Sequence, residues 1–342
     1  MAIEKPKLAM YWASSCGGCE ISVLNIGERI LVVDEVFDLV FFPCIADFKV
    51  NDVKGYPDAY IDLCLFNGAI RNSENEEMAR LLRQKSKVLV AFGSCAHEGC
   101  IPALSNLTSK QAILETVYKD NPSTENPDGI LPGLTEEVPE GILELPDFYN
   151  RVKTLDQVVA VDYTLPGCPP EPHQIWAVLQ AVIAAFTDGT ALPPPGAILG
   201  AGNKAVCEEC PLAREEKKIS RFYRPFEINP KPGKCLLDQG IVCMGPATRN
   251  GCNALCPVVG MGCRGCYGPM DGVEDQGAKM LSAAASVIDA GDPSMDEEEL
   301  AQAIEDVVAT LPDPAGTFYR FSMGHSLLGG VGIAASVKGD DP

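Results

Sequence analysis

Short apolar runs alternate with amphipathic segments over the first half of the chain. The apolar runs resemble strands that are buried on both faces of a parallel sheet, and they cover residues 7–12, 37–43, 60–66, 87–92 and 158–165. Helical spacing of apolar residues is found in residues 20–33, 73–86 and 171–187. Ser73 is the predicted N-cap of the second helix, because Glu76 follows it by three residues. This alternation predicts a flavodoxin-like, doubly wound parallel α/β sheet with its functional loops at the carboxyl ends of the strands.

Two proline-rich segments break this pattern. Residues 121–147 contain five prolines and seven acidic residues and predict a surface excursion. Residues 191–203 are interpreted as a linker between a first domain, 1–190, and a second domain, 204–342. The second domain shows little periodicity before its two predicted helices, 275–290 and 296–310. We therefore expect the second domain to have low secondary-structure content and to be stabilised by cross-links in place of a large apolar core.

The charge of the chain excludes some classes of partner. Asp and Glu number 47 against 27 Lys and Arg, a formal net charge of -20. Nucleic acids and anionic membranes both attract positive surfaces, so neither is an expected partner. No run approaches the roughly 18 apolar residues of a membrane span, and the N-terminus shows no export signal. We therefore expect a cytoplasmic protein, in which 15 cysteines indicate metal sites rather than disulfides.

Four cysteines follow predicted strands in the first domain. Cys16 and Cys19 follow the first strand, Cys95 follows the run 87–92, and Cys168 follows the run 158–165. A CxxC pair alone fits either a dithiol redox site or two corners of an iron–sulfur cluster. A dithiol enzyme has no use for the other two cysteines, whereas a [4Fe–4S] cluster takes four. The sequence therefore predicts a cluster at this end of the sheet.

Eight more cysteines lie in the second domain and make two four-ligand sites: Cys207, Cys210, Cys235, Cys243, Cys252, Cys256, Cys263 and Cys266. Zinc sites usually separate their CxxC pairs by about 15–20 residues. Here 52 residues separate Cys210 from Cys263, which favours iron–sulfur clusters. A zinc-stapled interaction module is the non-enzymatic alternative.

The remaining cysteines and two polar residues have simpler interpretations. Cys44 and Cys64 are expected to pack in the core, and Cys100 beside the predicted cluster, with a redox role for Cys100 as the alternative. His97 is expected to form hydrogen bonds within its loop. Glu20 follows Cys19 at a helix start, where the helix dipole favours a carboxylate.

The cysteine motifs together resemble the small, electron-transferring subunits of [NiFe] hydrogenases over nearly the whole chain. The resemblance rests on residues 15–20 (SCGGCE), 93–95 (GSC), 167–170 (GCPP) and the ordered C-terminal cysteines. Residues 235–249 and 263–268 are most similar to the cytoplasmic, methyl-viologen-reducing group, whose members work with heterodisulfide reductase.

This resemblance implies three [4Fe–4S] clusters that carry electrons from hydrogen oxidation at a separate large subunit to an iron–sulfur partner subunit. It implies no catalytic residue in this chain, because the nickel thiolates of the family lie on the large subunit. It assigns the proximal cluster to Cys16, Cys19, Cys95 and Cys168, the medial cluster to Cys252, Cys256, Cys263 and Cys266, and the distal cluster to Cys207, Cys210, Cys235 and Cys243. Exchange of Cys243 and Cys252 between the last two sets remains open. The alternative enzyme function is that of an iron–sulfur subunit in a related oxidoreductase without hydrogenase activity.

A basic stretch stands out in this acidic chain. Residues 214–234 contain seven Lys or Arg and three Glu. Such a stretch is usually a solvated face. Beside a cluster it also suits the docking of an acidic electron-transfer partner.

Overall fold

The computed structural model describes residues 5–215, 218–289 and 294–328. It divides into two compact units. Of the described residues, the first unit contains 5–199 and 323–328, and the second contains those between 200 and 322. Residues 323–328 therefore lie in the first unit, whereas the sequence assigned them to the second domain, 204–342. Lys217 of the basic stretch and Ala290 at the end of a predicted helix lie outside the described residues.

Nine strands are described, most of them in the first unit's central sheet or beside it. They are β1 (Lys7–Trp12), β2 (Asp38–Phe41), β3 (Ile61–Asn67), β4 (Ile70–Asn72), β5 (Ser86–Phe92), β6 (Thr135–Val138), β7 (Gly141–Glu144), β8 (Phe148–Lys153) and β9 (Tyr163–Leu165). The central sheet has the order β2-β1-β3-β5-β9, and all its pairs are parallel. Numbered among themselves, these five strands have the order 2-1-3-4-5 of a flavodoxin-like sheet. The predicted fold class is confirmed.

Eight α-helices are described in the first unit. They are α1 (Gly18–Leu24), α2 (Ile30–Val36), α3 (Val50–Gly55), α4 (Ser73–Lys85), α5 (Ser94–Glu98), α6 (Cys100–Ala103), α7 (Lys110–Tyr118) and α8 (Pro172–Asp188). Helices α1, α2 and α8 pack on one face of the sheet, where Phe92 and Leu179 are buried. Helices α3 and α4 cover the other face, where Met78 and Leu82 are buried. The core therefore lies in two layers on either side of the sheet.

Two local predictions are wrong in detail. The single helix predicted over residues 20–33 is broken, because α1 ends at Leu24 and Gly27 adopts a positive φ of 71° before α2. Helix α4 is capped by Asn72 rather than by Ser73, and the Asn72 side chain accepts a hydrogen bond from the Asn75 amide. Residues 121–147 are largely exposed, as predicted, and contain the β6–β7 hairpin.

The second unit has few regular elements before residue 276, as predicted. Its helices are α9 (Leu255–Val258), α10 (Gln276–Ala285), α11 (Glu297–Val308) and α12 (Pro314–Phe318). Asp275 and Asp296 cap α10 and α11, each accepting hydrogen bonds from backbone amides in the first turn. In both units, every helix within the described ranges is too short or too polar to cross a lipid bilayer.

Candidate functional site

The first cysteine site comprises Cys16, Cys19, Cys95 and Cys168, each of which follows a strand of the central sheet. Cys16 lies in the loop after β1, and Cys19 lies in the first turn of α1. Cys95 is the second residue of α5, directly after β5, and Cys168 follows β9. Cys19 and Cys95 are buried, whereas Cys16 and Cys168 are exposed. Since parallel strands end at one edge of a sheet, all four residues lie at that edge.

Gly93 permits the close approach of two of these loops. It has a φ of 85° and a ψ of 164°, and a Cβ built on it would overlap the Sγ atom of Cys19. Its amide donates to the Leu165 carbonyl at 2.8 Å, and the Ser94 amide donates to the Gly167 carbonyl at 2.8 Å. The ends of β5 and β9 are thereby tied together beside Cys19.

The thiols of this site influence one another. Burial raises the pKa of Cys19 well above its ordinary value, and the neighbouring Glu20, Cys168, Cys16 and Cys100 raise it further. Ionising such a group costs free energy unless a cation compensates for the charge. Iron held by these thiolates would supply that compensation, since metal binding and thiol deprotonation are coupled.

The other three cysteines of the first unit differ in how deeply they are buried. Cys100 is fully buried, as expected, and its Sγ atom lies 3.8 Å from that of Cys168. Cys64 is fully buried within β3, as expected. Cys44 is exposed in the loop after β2, so the prediction that it packs in the core is wrong. The loop carries Cys44 past the end of the strand, where the sheet no longer covers it.

Glu20 is more than a charge at a helix start. Its side chain is 5% exposed, and both carboxylate oxygens lie 2.8 Å from the Asn67 Nδ2 atom. Burial raises its pKa, and the hydrogen bond from Asn67 opposes that shift. A carboxyl group that is held beside Cys19 therefore forms part of the wall of the first cysteine site.

A buried ion cluster holds the loop that follows Cys95. The Glu98 carboxylate is 2% exposed and lies 3.0 Å from Nε2 of His97 and 3.5 Å from Nδ1 of His325. The other ring nitrogen of His325 lies 3.1 Å from Asp156. These carboxylates raise the pKa of His325 to about 10 against the opposing effect of burial, so the imidazole is cationic at neutral pH. The segment that begins at Met323 is thereby fixed to the loop of Cys95.

The second cysteine site is a cavity in the second unit. Its lining combines four thiols with apolar side chains and one guanidinium group, and includes Cys207, Cys210, Cys235, Cys243, Leu236, Pro246 and Arg214. A Cβ added to Gly245 would lie 3.2 Å from Sγ of Cys207 and 3.6 Å from Sγ of Cys243. The absence of a side chain at Gly245 thus leaves room between two of the thiols.

Charges and backbone amides around this cavity act on the sulfur atoms. Burial raises the pKa of Cys207 to about 12, the neighbouring thiols add to this shift, and Arg214 opposes it. The Cys263 amide donates to Sγ of Cys243 at 3.2 Å. Amide donors to sulfur and apolar surroundings are the features that tune iron–sulfur clusters in proteins. The cavity therefore fits a group that is bound by thiolates.

The set of four cysteines predicted as the third site is Cys252, Cys256, Cys263 and Cys266. Between Cys252 and α9 two residues have positive φ, Asn253 at 57° and Ala254 at 51°. This turn directs backbone amides toward Cys252, which lower its pKa against the larger effect of burial. Sγ of Cys252 also lies 3.7 Å from Oε1 of Glu209.

The other half of the third site is held by α10. The carbonyl of Gly265, between Cys263 and Cys266, accepts a hydrogen bond of 3.0 Å from the Gln276 side chain. Burial raises the pKa of Cys263, and the nearby Cys243 and Cys266 thiols raise it further. The structure thus brings Cys263 close to Cys266 and to the second site.

Within residues 5–215, 218–289 and 294–328, no three His, Cys, Asp or Glu side chains converge on a position for a single metal ion. A four-iron cluster sets a different requirement, because each of its four thiolates binds a separate iron atom. Four thiols that surround a cavity, as in the second site, meet that requirement.

The sequence relatives decide the family. The chain is 38% identical over 288 residues to the iron–sulfur subunit of an F420-non-reducing hydrogenase from Archaeoglobus profundus, covering 82% of this chain and 88% of the relative. It is 37% identical over 329 residues to a subunit of the F420-non-reducing hydrogenase from Methanothermobacter marburgensis, covering 95% and 96%. The chain belongs to the iron–sulfur subunit family of the F420-non-reducing hydrogenases.

Two further comparisons concern part of the chain and its fold. The family model described as "NADH ubiquinone oxidoreductase, 20 Kd subunit" matches residues 16–182. The solved [NiFeSe]-hydrogenase of Dm. baculatum has a chain of the same fold, with a TM-score of 0.50 and 18% identity over 78% of this chain and 95% of that one. Residues 16–182 are thus similar to that oxidoreductase family model, and the solved chain shows the fold alone.

Sequence reasoning missed several residues that line or support these sites in the hydrogenase subunit. Asn67 ends β3 at the sheet edge where the cysteines lie, and that position was a usable signal. Glu98 and His325 are far apart in sequence, so spacing gave no indication that they meet. Arg214 was recognised only as part of the basic stretch, although its side chain lines the cavity of the second site.

Proposed function

We propose that this subunit conducts electrons, through three [4Fe–4S] clusters, from hydrogen oxidation at a nickel–iron site on a large subunit to an electron-accepting partner. The observation that carries the proposal is the cavity lined by Cys207, Cys210, Cys235 and Cys243. Its four thiols and apolar wall suit a cluster, which supplies one-electron transfer when bound. Membership of the hydrogenase subunit family supports the source of the electrons.

The three cysteine sites are assigned to three positions in the relay. The first site holds the proximal cluster, the third site the medial cluster and the second site the distal cluster. Cys243 lines the cavity with Cys207, whereas Cys252 contacts Glu209. This contrast supports Cys243 as a distal ligand and Cys252 as a medial ligand.

An apolar surface beside the first cysteine site suits the docking of the large subunit. Trp12 is 43% exposed, Ile21 57% and Leu31 69%. These residues lie in β1, α1 and α2, around the loop that presents Cys16. Large apolar residues exposed together mark interaction surfaces, and docking here places the proximal cluster next to the large subunit.

The basic stretch of the second unit suits an acidic electron acceptor, which we propose is a heterodisulfide reductase-type iron–sulfur subunit in the cytoplasm. Residues 214–234 contain seven Lys or Arg and three Glu, so a net positive charge remains after Arg221 and Lys234 pair with Glu227 and Glu215. Phe226 lies within the same stretch and is 80% exposed. An exposed aromatic side chain among basic residues provides both an anchor and electrostatic steering.

Serine variants at the two ends of the relay test this function. Cys19→Ser should impair hydrogen use with every acceptor, because it alters the first station. Cys207→Ser should leave hydrogen/deuterium exchange largely intact and slow reduction of the partner, because exchange occurs on the large subunit. Cys64→Ser, in the core of β3 and outside the cysteine sites, is the matched control. The proposed order of the relay is contradicted by a pair of results: an assembled Cys207→Ser complex loses hydrogen/deuterium exchange, and a Cys19→Ser complex still reduces the partner.

The match of residues 16–182 to a quinone-reductase subunit model keeps one alternative in view. In that alternative the chain serves a related oxidoreductase without hydrogenase activity. The native complex then contains iron but shows no hydrogen/deuterium exchange. A zinc-stapled module, by contrast, is colourless and contains stoichiometric zinc.

A further inference from the structure

Arg214 brings a permanent positive charge to the second cysteine site. It lines the same cavity as Cys207, Cys210, Cys235 and Cys243. Arginine guanidinium groups carry a positive charge in proteins. Among the described residues that line this cavity, Arg214 is the one with a charged side chain.

The nearest carboxylate named beside this cavity does not line it. Asp238 is absent from the lining, and its carboxylate accepts a 2.6 Å hydrogen bond from the Glu215 amide. The guanidinium group of Arg214 is therefore placed to stabilise negative charge among the four thiols of the cavity.

The walls of the cavity strengthen this interaction. Leu236 and Leu237 are 2% and 3% exposed, and they line the cavity together with Val206 at 1%. Apolar, poorly hydrated surroundings screen a charge less than water does. A charge at the edge of such a cavity therefore acts on its contents more strongly than the same charge on an open surface.

We propose that Arg214 raises the reduction potential of the cluster at the second cysteine site and so makes that site the exit of the relay. This inference rests on the proposed function. Reduction adds one electron from the neighbouring cluster, makes and breaks no bond, and transfers no proton. The added negative charge is stabilised by the nearby guanidinium group, so the electron collects at the second site before it passes to the acceptor.

The test is a potentiometric titration of the intact complex, followed by electron paramagnetic resonance of the distal cluster. The signal is assigned by its change in Cys207→Ser. Arg214→Gln should lower the midpoint potential of the distal cluster by about 59 mV. For a one-electron couple this equals a tenfold change in the ratio of reduced to oxidised cluster. Arg214→Lys should stay near the wild-type value, because it keeps the charge.

Arg221→Gln is the matched control, since it removes the same charge from the same basic stretch at a residue that does not line the cavity. It should leave the midpoint potential unchanged. The inference is wrong if Arg214→Gln has the same midpoint potential as wild type. It is also wrong if Arg221→Gln shifts the potential as much as Arg214→Gln does.

Iron analysis separates failure of this inference from failure of the proposed function. If the wild-type complex has no iron at the second site, the proposed function itself is wrong. Normal iron with an unchanged potential in Arg214→Gln removes the role of Arg214 alone. Arg214→Met is a second neutral variant. If both neutral variants lose iron while Arg214→Lys keeps it, Arg214 has a structural role and the electrostatic inference is wrong.

Discussion

Substitution of Gly93 by alanine tests whether the end of β5 shapes the first cysteine site. The residue has a φ of 85° and a ψ of 164°, a backbone conformation almost confined to glycine. An added Cβ would also overlap Sγ of Cys19, and it would lie 3.5 Å from the Gly167 carbonyl oxygen. Alanine must therefore either strain the backbone or displace the Cys19 thiol.

The two effects have separate magnitudes. Backbone strain in this region costs about 1–3 kcal/mol, and overpacking against a neighbour typically costs about 1–3 kcal/mol more. Gly189→Ala is the matched control, because Gly189 has a φ of 71° and a ψ of 20°, and a Cβ there meets nothing within 4 Å. Gly189→Ala should lower the free energy of unfolding only by the strain of a left-handed residue, about 1–2 kcal/mol.

The assay combines the thermal unfolding midpoint with the iron content and the spectrum of the proximal cluster in the assembled complex. Gly93→Ala should lower the midpoint more than Gly189→Ala and should also alter the proximal signal. Gly189→Ala should leave that signal unchanged. If both variants unfold alike and both retain a wild-type proximal signal, the contact between Gly93 and Cys19 has no role in the site.

Three further predictions concern the ion cluster, the medial site and the docking surface. The pKa of His325 is raised from 6.5 to about 10 in the folded protein, so its contribution to stability is complete below pH 6.5 and disappears as the pH rises toward 10. His325→Gln should therefore lower the free energy of unfolding by on the order of 5 kcal/mol at pH 6 and by almost nothing at pH 10 in denaturant titrations, and a pH-independent difference refutes this. Cys256→Pro places proline in the first turn of α9, where it is tolerated. It should convert the medial cluster to a three-iron form, and an unchanged low-temperature spectrum of the oxidised protein shows that Cys256 is not a ligand. Lys218→Glu should weaken binding of the electron acceptor, most strongly at low salt, whereas salt-independent binding equal to wild type argues against this docking surface.

The central sheet was predictable because each of its strands is marked by a local run of apolar residues. A buried parallel strand such as β3 is a continuous apolar run, and each of the five central strands overlaps a predicted run. The run 158–165 was predicted too long, because only Tyr163–Leu165 forms a strand, and helices α3 and α5 were not predicted. The β4–β8 pair was not predicted, because Ile70–Asn72 has only three residues and its partner is distant in sequence. The break at Gly27 was missed because apolar spacing continues from α1 into α2, and the spacing does not show the backbone turn.

The cysteine sites were predictable in outline because thiol spacing and strand ends carry chemical information. The surroundings of the thiols were not. Asn67 could have been expected near the cysteines because it ends β3, but its hydrogen bond with Glu20 depends on the tertiary fold, as does the contact of His325 with Glu98. Cys44 was expected in the core because it ends an apolar run, but the strand ends at Phe41 and the loop exposes the thiol.

Iron and acid-labile sulfide analysis of the anaerobically purified native complex tests the central claim most directly. Three four-iron clusters predict about twelve iron atoms and about twelve sulfides for each copy of this chain, after subtraction of the metal in the other subunits. Cys235→Ser should reduce the iron content or alter the spectrum of one cluster, while the control Cys64→Ser changes neither. A content of about four iron atoms, or stoichiometric zinc in place of iron, would contradict the three-cluster relay.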